Sequence, residues 1–153
     1  MIKAKLILTI GISGSGKTTW ANEQIKNDPE NIVNVNRDDT RMALFFNGDY
    51  SNYSNYEFSY VNENLITKVC HDKIKLALAK GLTVIVSDTN ITRKFRRKLQ
   101  MIAFDYDSSY EEKVFEVPLE TCIERQLNRD FQVPENVIRS QYQKMRDEGY
   151  YIM

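Results

Sequence analysis

The octet Gly11 to Thr18, GISGSGKT, constrains this chain more than any other stretch. It fits G-x-x-x-x-G-K-[ST] without a gap and directly follows an apolar run, Leu6-Ile7-Leu8-Thr9-Ile10. Gly11, Gly14 and Gly16 open backbone conformations closed to residues that carry a Cβ. Successive N–H groups can then point inward and cradle phosphate oxygens, and a helix starting near Lys17 adds the positive end of its dipole. In such a loop the lysine ammonium reaches the terminal phosphates and the next hydroxyl, here Thr18, can ligate Mg²⁺. The bland alternative is a glycine/serine turn that binds nothing. Strand, eight matched positions and a helical pattern rarely coincide, so the octet implies a bound nucleoside triphosphate. It leaves open where the phosphate goes.

Bulk properties narrow the class. At 153 residues the chain is expected to be one domain, 1–153, long enough to bury roughly two-thirds of its unfolded surface. Lys plus Arg and Asp plus Glu both number 21, so the net charge is zero. A protein that coats long nucleic acid is normally basic; gripping one strand end needs only a few local arginines. No apolar run approaches 18 residues, which argues against a membrane span. The start, MIKAKLILTI, runs straight into the phosphate loop and reads as a core strand rather than a signal peptide. Cys70 and Cys122 lack metal-ligand spacing and read as buried thiols in a reducing compartment, which makes the expected location cytoplasmic. The lone His71 falls in a helical pattern and is expected to be structural or solvated.

Along the chain, strand and helix patterns alternate. Lys5 to Ile10, Ile32 to Val35, Leu82 to Val86 and Lys113 to Val117 read as strands, the last stopped by Pro118. Helices are expected over Thr18 to Lys26, Asp39 to Phe46 (capped by Asp38 or Asp39), Tyr56 to Lys80, Arg93 to Phe104, Leu119 to Asn128 and Pro134 to Glu148. Phe58, Val61, Leu65, Val69, Ile74, Leu76 and Leu78 supply the apolar faces of the long helix, and Gly81 suits its end. Asn47 to Ser54 reads as a polar loop. The alternation predicts an α/β P-loop kinase fold, with a parallel sheet of four or five strands, helices on both faces and a small helical lid.

Ligands in such a sheet gather at the carboxyl ends of the strands. There the sequence places Asn36-Arg37-Asp38-Asp39-Thr40-Arg41, then Ser87-Asp88-Thr89-Asn90, then Arg125 and Arg129. Phosphoryl transfer to a hydroxyl needs a phosphate clamp, a metal, a carboxylate near the hydroxyl and cations for the developing charge. Asp38 is the carboxylate candidate, and Arg41, one helical turn on, can fork onto an acceptor phosphate. Asp88 is placed to orient metal-bound water. Arg125 and Arg129, four apart on one helix, suit a lid over the donor. Each has a plainer alternative: Asp38 a helix cap, Arg41 a surface ion pair with Asp38, Asp88 a turn residue, and the two arginines a solvated face paired with Glu124 or Asp130. Arg93 to Lys98 reads chiefly as a solvated basic face. Tyr50, Tyr53, Tyr56 and Tyr60 read chiefly as packing residues, although bases could stack on them.

Taken together, LILTIGISGSGKTTWA, NVNRDDTR, VIVSDTN, KVFEVPLETCIERQLNR and VPENVIRSQYQKMR resemble the 5′-kinase domain of the T-even phage type of polynucleotide kinase/phosphatase. The resemblance spans nearly the whole chain in order, with little similarity over Phe45 to Glu63 and no phosphatase domain. It implies ATP as donor with Mg²⁺, and a 5′-OH end of DNA or RNA as acceptor. The donor set would be Gly14, Ser15, Gly16, Lys17, Thr18 and Thr19 with Arg125 and Arg129, and Thr18 would carry the metal. Asp38 would be the general base, Arg41 would bind the phosphate 3′ to the hydroxyl, and Asp88 and Thr89 would complete the acceptor side. Lys17 and Arg129 would share the catalytic work with Asp38. Val133 would pack on the acceptor base. The loop after Arg129 is one residue shorter than the family pattern, and its Phe131 can stack on that base. The resemblance further implies nucleic-acid end healing, a phage-infected host's cytoplasm if the source is a phage, and the possibility of an oligomer. It is compatible with a stand-alone kinase or a piece of a longer protein. Two rivals stay open: a P-loop kinase acting on a small-molecule hydroxyl (nucleoside, sugar or antibiotic), and a nucleotide switch without turnover.

Overall fold

The structure, a computed structural model, describes residues 3–129 and 132–151. Among them, four parallel strands stand in the order β2-β3-β1-β4. They are β1 (Lys5–Ile10), β2 (Ile32–Val35), β3 (Thr83–Val86) and β4 (Ser109–Val114). The helices are α1 (Lys17–Asn27), α2 (Arg37–Phe46), α3 (Tyr60–Ala79), α4 (Arg93–Asp105), α5 (Leu119–Gln126) and α6 (Glu135–Asp147). This is the α/β architecture that the alternating pattern implies.

Strand periodicity assigns the layers. Leu6 and Leu8 face α2, α3 and α4, joining Val84, Val86, Met42, Ile66 and Leu99 in the main core. Ile7 and Ile85 point the other way, under Ala21 and Trp20 of α1. A third cluster, Ile10, Ile12, Ile91, Cys122, Ile138 and Met145, fastens α5 and α6 across the carboxyl end of β1. The segments after β1 and β3 therefore leave toward opposite faces of the sheet, and a crevice opens between them.

Several boundaries differ from the sequence expectation for physical reasons. Helix α2 starts two residues early, because the Asn36 side chain caps it by accepting from the Asp39 N–H at 2.7 Å. The cap is therefore neither Asp38 nor Asp39. Within the expected polar loop, Tyr50–Asn55 forms a 3-10 helix that Asp49 caps. Helix α3 begins at Tyr60 behind a Ser59 cap, so Tyr56 and Phe58 lie outside it. Its buried stripe is Ile66, Cys70, Ile74, Ala77 and Leu78, whereas Phe58, Val61, Leu65 and Leu76 are exposed. Gly81 follows the helix with φ 80°, as expected of a left-handed stop.

The largest shift is in β4. It pairs with β1 from Lys5↔Ser109 to Ile10↔Val114, four residues ahead of the expected start. As an edge strand it needs few apolar side chains, so SYEEKV serves where periodicity alone favours the more apolar VFEV. Helix α5 ends at Gln126, which leaves Arg129 in the following turn rather than on a shared helical face with Arg125. Both cysteines are free and buried, as expected. Among the described residues, no helix is long and apolar enough to cross a membrane.

Candidate active site

The residues expected to take the donor begin at the β1–α1 turn. Gly14 and Gly16 take φ values of 86° and 97°, both left-handed, so the loop needs glycine at these positions. Gly14 is also sterically fixed, since a Cβ there would meet the Cys122 carbonyl oxygen at 2.7 Å. Two helices brace the loop from outside: the Ser13 N–H donates to Gln141 Oε1 of α6 at 2.8 Å, and Arg125 Nη1 of α5 donates to the Gly14 carbonyl at 3.0 Å.

Lys17 is buried, with its ammonium donating to the Ile12 carbonyl at 2.6 Å and to Ser15 Oγ at 3.4 Å. Burial lowers it to about 8, against the opposing pull of the Asp88 carboxylate; Arg129 is near enough to push it the same way as burial. A buried cation held over a glycine cradle is suited to polyphosphate. Thr18 and Thr19 are exposed at the mouth. Gly16, Thr19, Trp20, Val117, Arg125 and Arg129 line a cleft of about 520 Å³ beside the loop. Of the expected donor set, Gly14, Ser15, Gly16, Thr19, Arg125 and Arg129 line this cleft, Arg129 from a turn, while Lys17 and Thr18 do not.

The residues expected to take the acceptor sit beyond β2 and β3. In the first turn of α2, the Asp38 carboxylate accepts from Arg41 Nη1 at 2.6 Å. Arg41 in turn forks onto Glu63 of α3, with Nε to Oε2 at 3.0 Å and Nη2 to Oε1 at 2.7 Å. Its guanidinium lies 4.8 Å from the Phe58 ring centroid and 5.7 Å from that of Tyr56. Burial opposes the Arg41 charge, yet the hydrogen bond to Glu63 and the charge of Asp38 outweigh it and hold the guanidinium more firmly protonated than usual. Glu63 is likewise disfavoured by burial as an anion. Hydrogen bonds from Arg41, the Tyr56 hydroxyl and Arg37 nevertheless hold it down at about 2.

Asp88 extends the acceptor half toward the donor. Its Oδ1 accepts from the Arg37 N–H at 2.8 Å, which fixes the start of α2 against the end of β3. Burial pushes its carboxyl up to about 6. Arg37 continues the brace, with Nη1 to Thr67 Oγ1 at 2.8 Å and Nη2 to Glu63 Oε1 at 3.0 Å. The Thr89 carbonyl accepts from the Gly11 N–H at 3.1 Å, so this residue ties the two halves through its backbone. Asn90, in a left-handed conformation with φ 47°, donates its amide to the carbonyls of Thr9 at 2.9 Å and Val86 at 3.0 Å. The ends of β1 and β3 are thereby pinned side by side.

Other expectations resolve individually. Asp38 and Arg41 are paired, as the plainer alternative held, but Arg41 is mostly buried, with 12% of its side chain exposed, and the pair includes Glu63. Val133 packs partly buried against the α5–α6 cluster, and its N–H donates to Gln126 Oε1 at 3.0 Å. Phe131 lies outside the described residues. Of the basic run, Arg96 turns inward and donates to the carbonyls of Asn90 (3.0 Å) and Ile91, while Arg93, Lys94, Arg97 and Lys98 face solvent. Sequence reasoning missed Glu63, gave Arg37 no role of its own, and read Tyr56 and Phe58 chiefly as packing residues. Glu63 carried one available signal: it is an acidic residue in the first turn of a helix opened by Ser59.

A glycine phosphate cradle, a buried lysine and an acid–arginine pair across one crevice define a P-loop nucleotide-binding domain. Residues 6–148 match the family described as AAA domain, and the chain belongs to that family. It is 35% identical over 147 residues to a "Putative bifunctional polynucleotide kinase/RNA ligase" of Autographa californica nuclear polyhedrosis virus, covering 92% of this chain and 20% of that protein. An L-seryl-tRNA(Sec) kinase of Methanococcus maripaludis is 30% identical over 145 residues, covering 94% of this chain and 53% of that one. The chain thus spans a fifth to about half the length of these relatives. Among solved structures, a chain of the Pnkp1/Rnl/Hen1 RNA repair complex superposes with a TM-score of 0.81 at 24% identity, over all of this chain and 47% of that one, and shares the fold.

Proposed function

We propose that this chain is a polynucleotide 5′-hydroxyl kinase domain that moves the γ-phosphate of ATP to the 5′-OH end of DNA or RNA, as in end healing. The observation that carries this reading is the Asp38–Arg41 pair at 2.6 Å, with the Asp38 carboxylate near enough to Lys17 to act on its charge. It sets a proton acceptor beside a phosphate-sized cation, which is the pair that a hydroxyl flanked by a phosphate requires. The named activities of the viral relative, at 35% identity, support the same reading.

In this scheme the backbone of Gly14 to Gly16 and the Lys17 ammonium hold the β- and γ-phosphates. The Thr18 hydroxyl would hold Mg²⁺, which when bound neutralises charge between those phosphates. Asp38 takes the proton of the 5′-hydroxyl as its oxygen attacks the γ-phosphorus, and ADP leaves. Arg129, from the far wall, meets the charge on the transferring group. Arg41, whose guanidinium bonds Glu63, Asp38 and Tyr56, turns its remaining N–H to one acceptor phosphate.

The test is transfer of labelled γ-phosphate from ATP to a 5′-OH oligonucleotide, over a panel of single-stranded and recessed DNA and RNA. Absence of transfer by the wild type sinks the reading. Asp38→Ala should abolish transfer and leave nucleotide binding intact. One observation favours a second reading, a small-molecule kinase: Arg41 is already matched by two carboxylates and needs no acceptor phosphate for its charge. A 3′-phosphorylated mononucleoside tested against the bare nucleoside separates the two.

A further inference from the structure

Two aromatic rings stand beside Arg41, between the 3-10 segment and α3, and the fold uses them differently. Tyr56 is buried, donates its hydroxyl to Glu63 Oε2 at 2.7 Å and meets the Phe45 ring edge-to-face at 5.4 Å. It is committed to packing. Phe58 is 56% exposed, yet its ring is anchored. Its centroid lies 4.7 Å from that of Tyr56 at an interplanar angle of 87°, and the Arg41 guanidinium carbon lies 4.8 Å from it. A large apolar ring fixed at the surface beside Asp38, Arg41 and Glu63 stands out against these charged neighbours.

A phenyl ring makes no ordinary hydrogen bond, so whatever it receives must offer an apolar or π face. Every nucleobase has such a face, whatever its sequence. In the reading above, the terminal hydroxyl meets Asp38 and the phosphate that follows meets Arg41. The next group along the polymer is the second nucleotide. Of the two rings beside Arg41, only Phe58 has the exposed surface to take its base. Arg41 keeps its bonds to Asp38 and Glu63 in this arrangement.

We propose that Phe58 is the platform on which the base of the acceptor's second nucleotide stacks, so that a polymer end binds more tightly than a mononucleotide. The inference rests on the polynucleotide reading and deepens its acceptor site.

The test varies protein and acceptor together. Three acceptors are compared: a 3′-phosphorylated mononucleoside, a dinucleotide, and the same dinucleotide with an abasic second residue. All three carry the phosphate assigned to Arg41. In the wild type, KM for the dinucleotide should lie about tenfold below the other two, with kcat unchanged. Phe58→Ala and the better-packed Phe58→Leu should erase that advantage and leave the mononucleoside KM alone, whereas Phe58→Trp should retain it. An abasic penalty that persists in Phe58→Leu puts the base elsewhere and overturns the proposal. So does a wild type that binds the dinucleotide no better than the mononucleoside; in both cases transfer to oligonucleotides leaves the polynucleotide reading standing. Equal losses on all three acceptors make Phe58 a support for Arg41 and also overturn it. A wild type that phosphorylates only bare nucleosides, or no hydroxyl at all, overturns the polynucleotide reading and this proposal with it.

Discussion

The donor and acceptor halves of the crevice are built by opposite means. The half proposed to take the donor is one contiguous octet shaped by its backbone geometry, with Lys17 as its single buried cation. The half proposed to take the acceptor gathers Asp38 and Arg41 from α2, Glu63 from α3 and Asp88 from beyond β3, and is made of side chains. A backbone site must be written as a tight local pattern, because few residues tolerate its dihedrals. A side-chain site can be assembled from any segments that the fold brings together, so its spelling in sequence is loose.

The largest expected effect falls on the donor half. Lys17→Ala should lower phosphate transfer by about 10² to 10³-fold, measured as single-turnover transfer at saturating acceptor. Arg41→Ala should separate the halves. A lost charge-assisted contact predicts a drop in kcat/KM of about 10 to 10²-fold on a 3′-phosphorylated mononucleoside, with little change on the bare nucleoside. Equal losses on both would make Arg41 a support for Asp38 rather than a phosphate ligand.

Stability offers a finer contrast. Gly14→Ala places a methyl 2.7 Å from the Cys122 carbonyl oxygen at φ 86°, whereas a Cβ on Gly16 meets nothing within 4 Å. Strain of about 1–3 kcal/mol is expected at Gly14 from the dihedral alone, with more from the clash, so its melting temperature should fall further than that of Gly16→Ala. Equal losses would mean that the α5 contact yields freely.

The smallest effects are pH slopes of opposite sign within the acceptor half. Glu63, held at about 2 against an ordinary 4.5, contributes stability that is complete above pH 4.5 and lost as pH falls toward 2. Asp88, raised from 3.8 to about 6, binds its proton more tightly when folded, so stability declines as pH rises between those values. Melting temperatures from pH 2 to 7 should lose the first slope in Glu63→Gln and the second in Asp88→Asn. A slope that survives its substitution belongs to another group.

This asymmetry also explains what could be read from sequence. The strand–loop–helix around the octet was legible to within one residue at each helix end, because the octet dictates it. On the acceptor side Asp38, Arg41 and Asp88 were legible as residues that follow strands. Glu63 was not, since its meeting with Arg41 depends on how α3 packs against α2, which no local pattern records. The tyrosine segment looked like a loop because its asparagines and serines mask a 3-10 turn that caps and core packing hold in place. Edge strand β4 was misplaced for a related reason: its register follows from β1, not from its own hydropathy. The lid was half legible, because Arg125 stands on a helix but Arg129 stands just past its end.

Arg37 contributes no group to the chemistry, yet it joins three elements at once, with its main-chain N–H on Asp88 and its guanidinium on Glu63 and Thr67. The opening turn of α2 is therefore fixed while the protein folds, before any strand end arrives. No ordering of this turn is then needed on binding, so more of the free energy of docking the proposed terminal nucleotide remains for alignment. For the acceptor proposed above, one scarce terminus on a long polymer, such a fixed geometry would favour productive first collisions over repeated search.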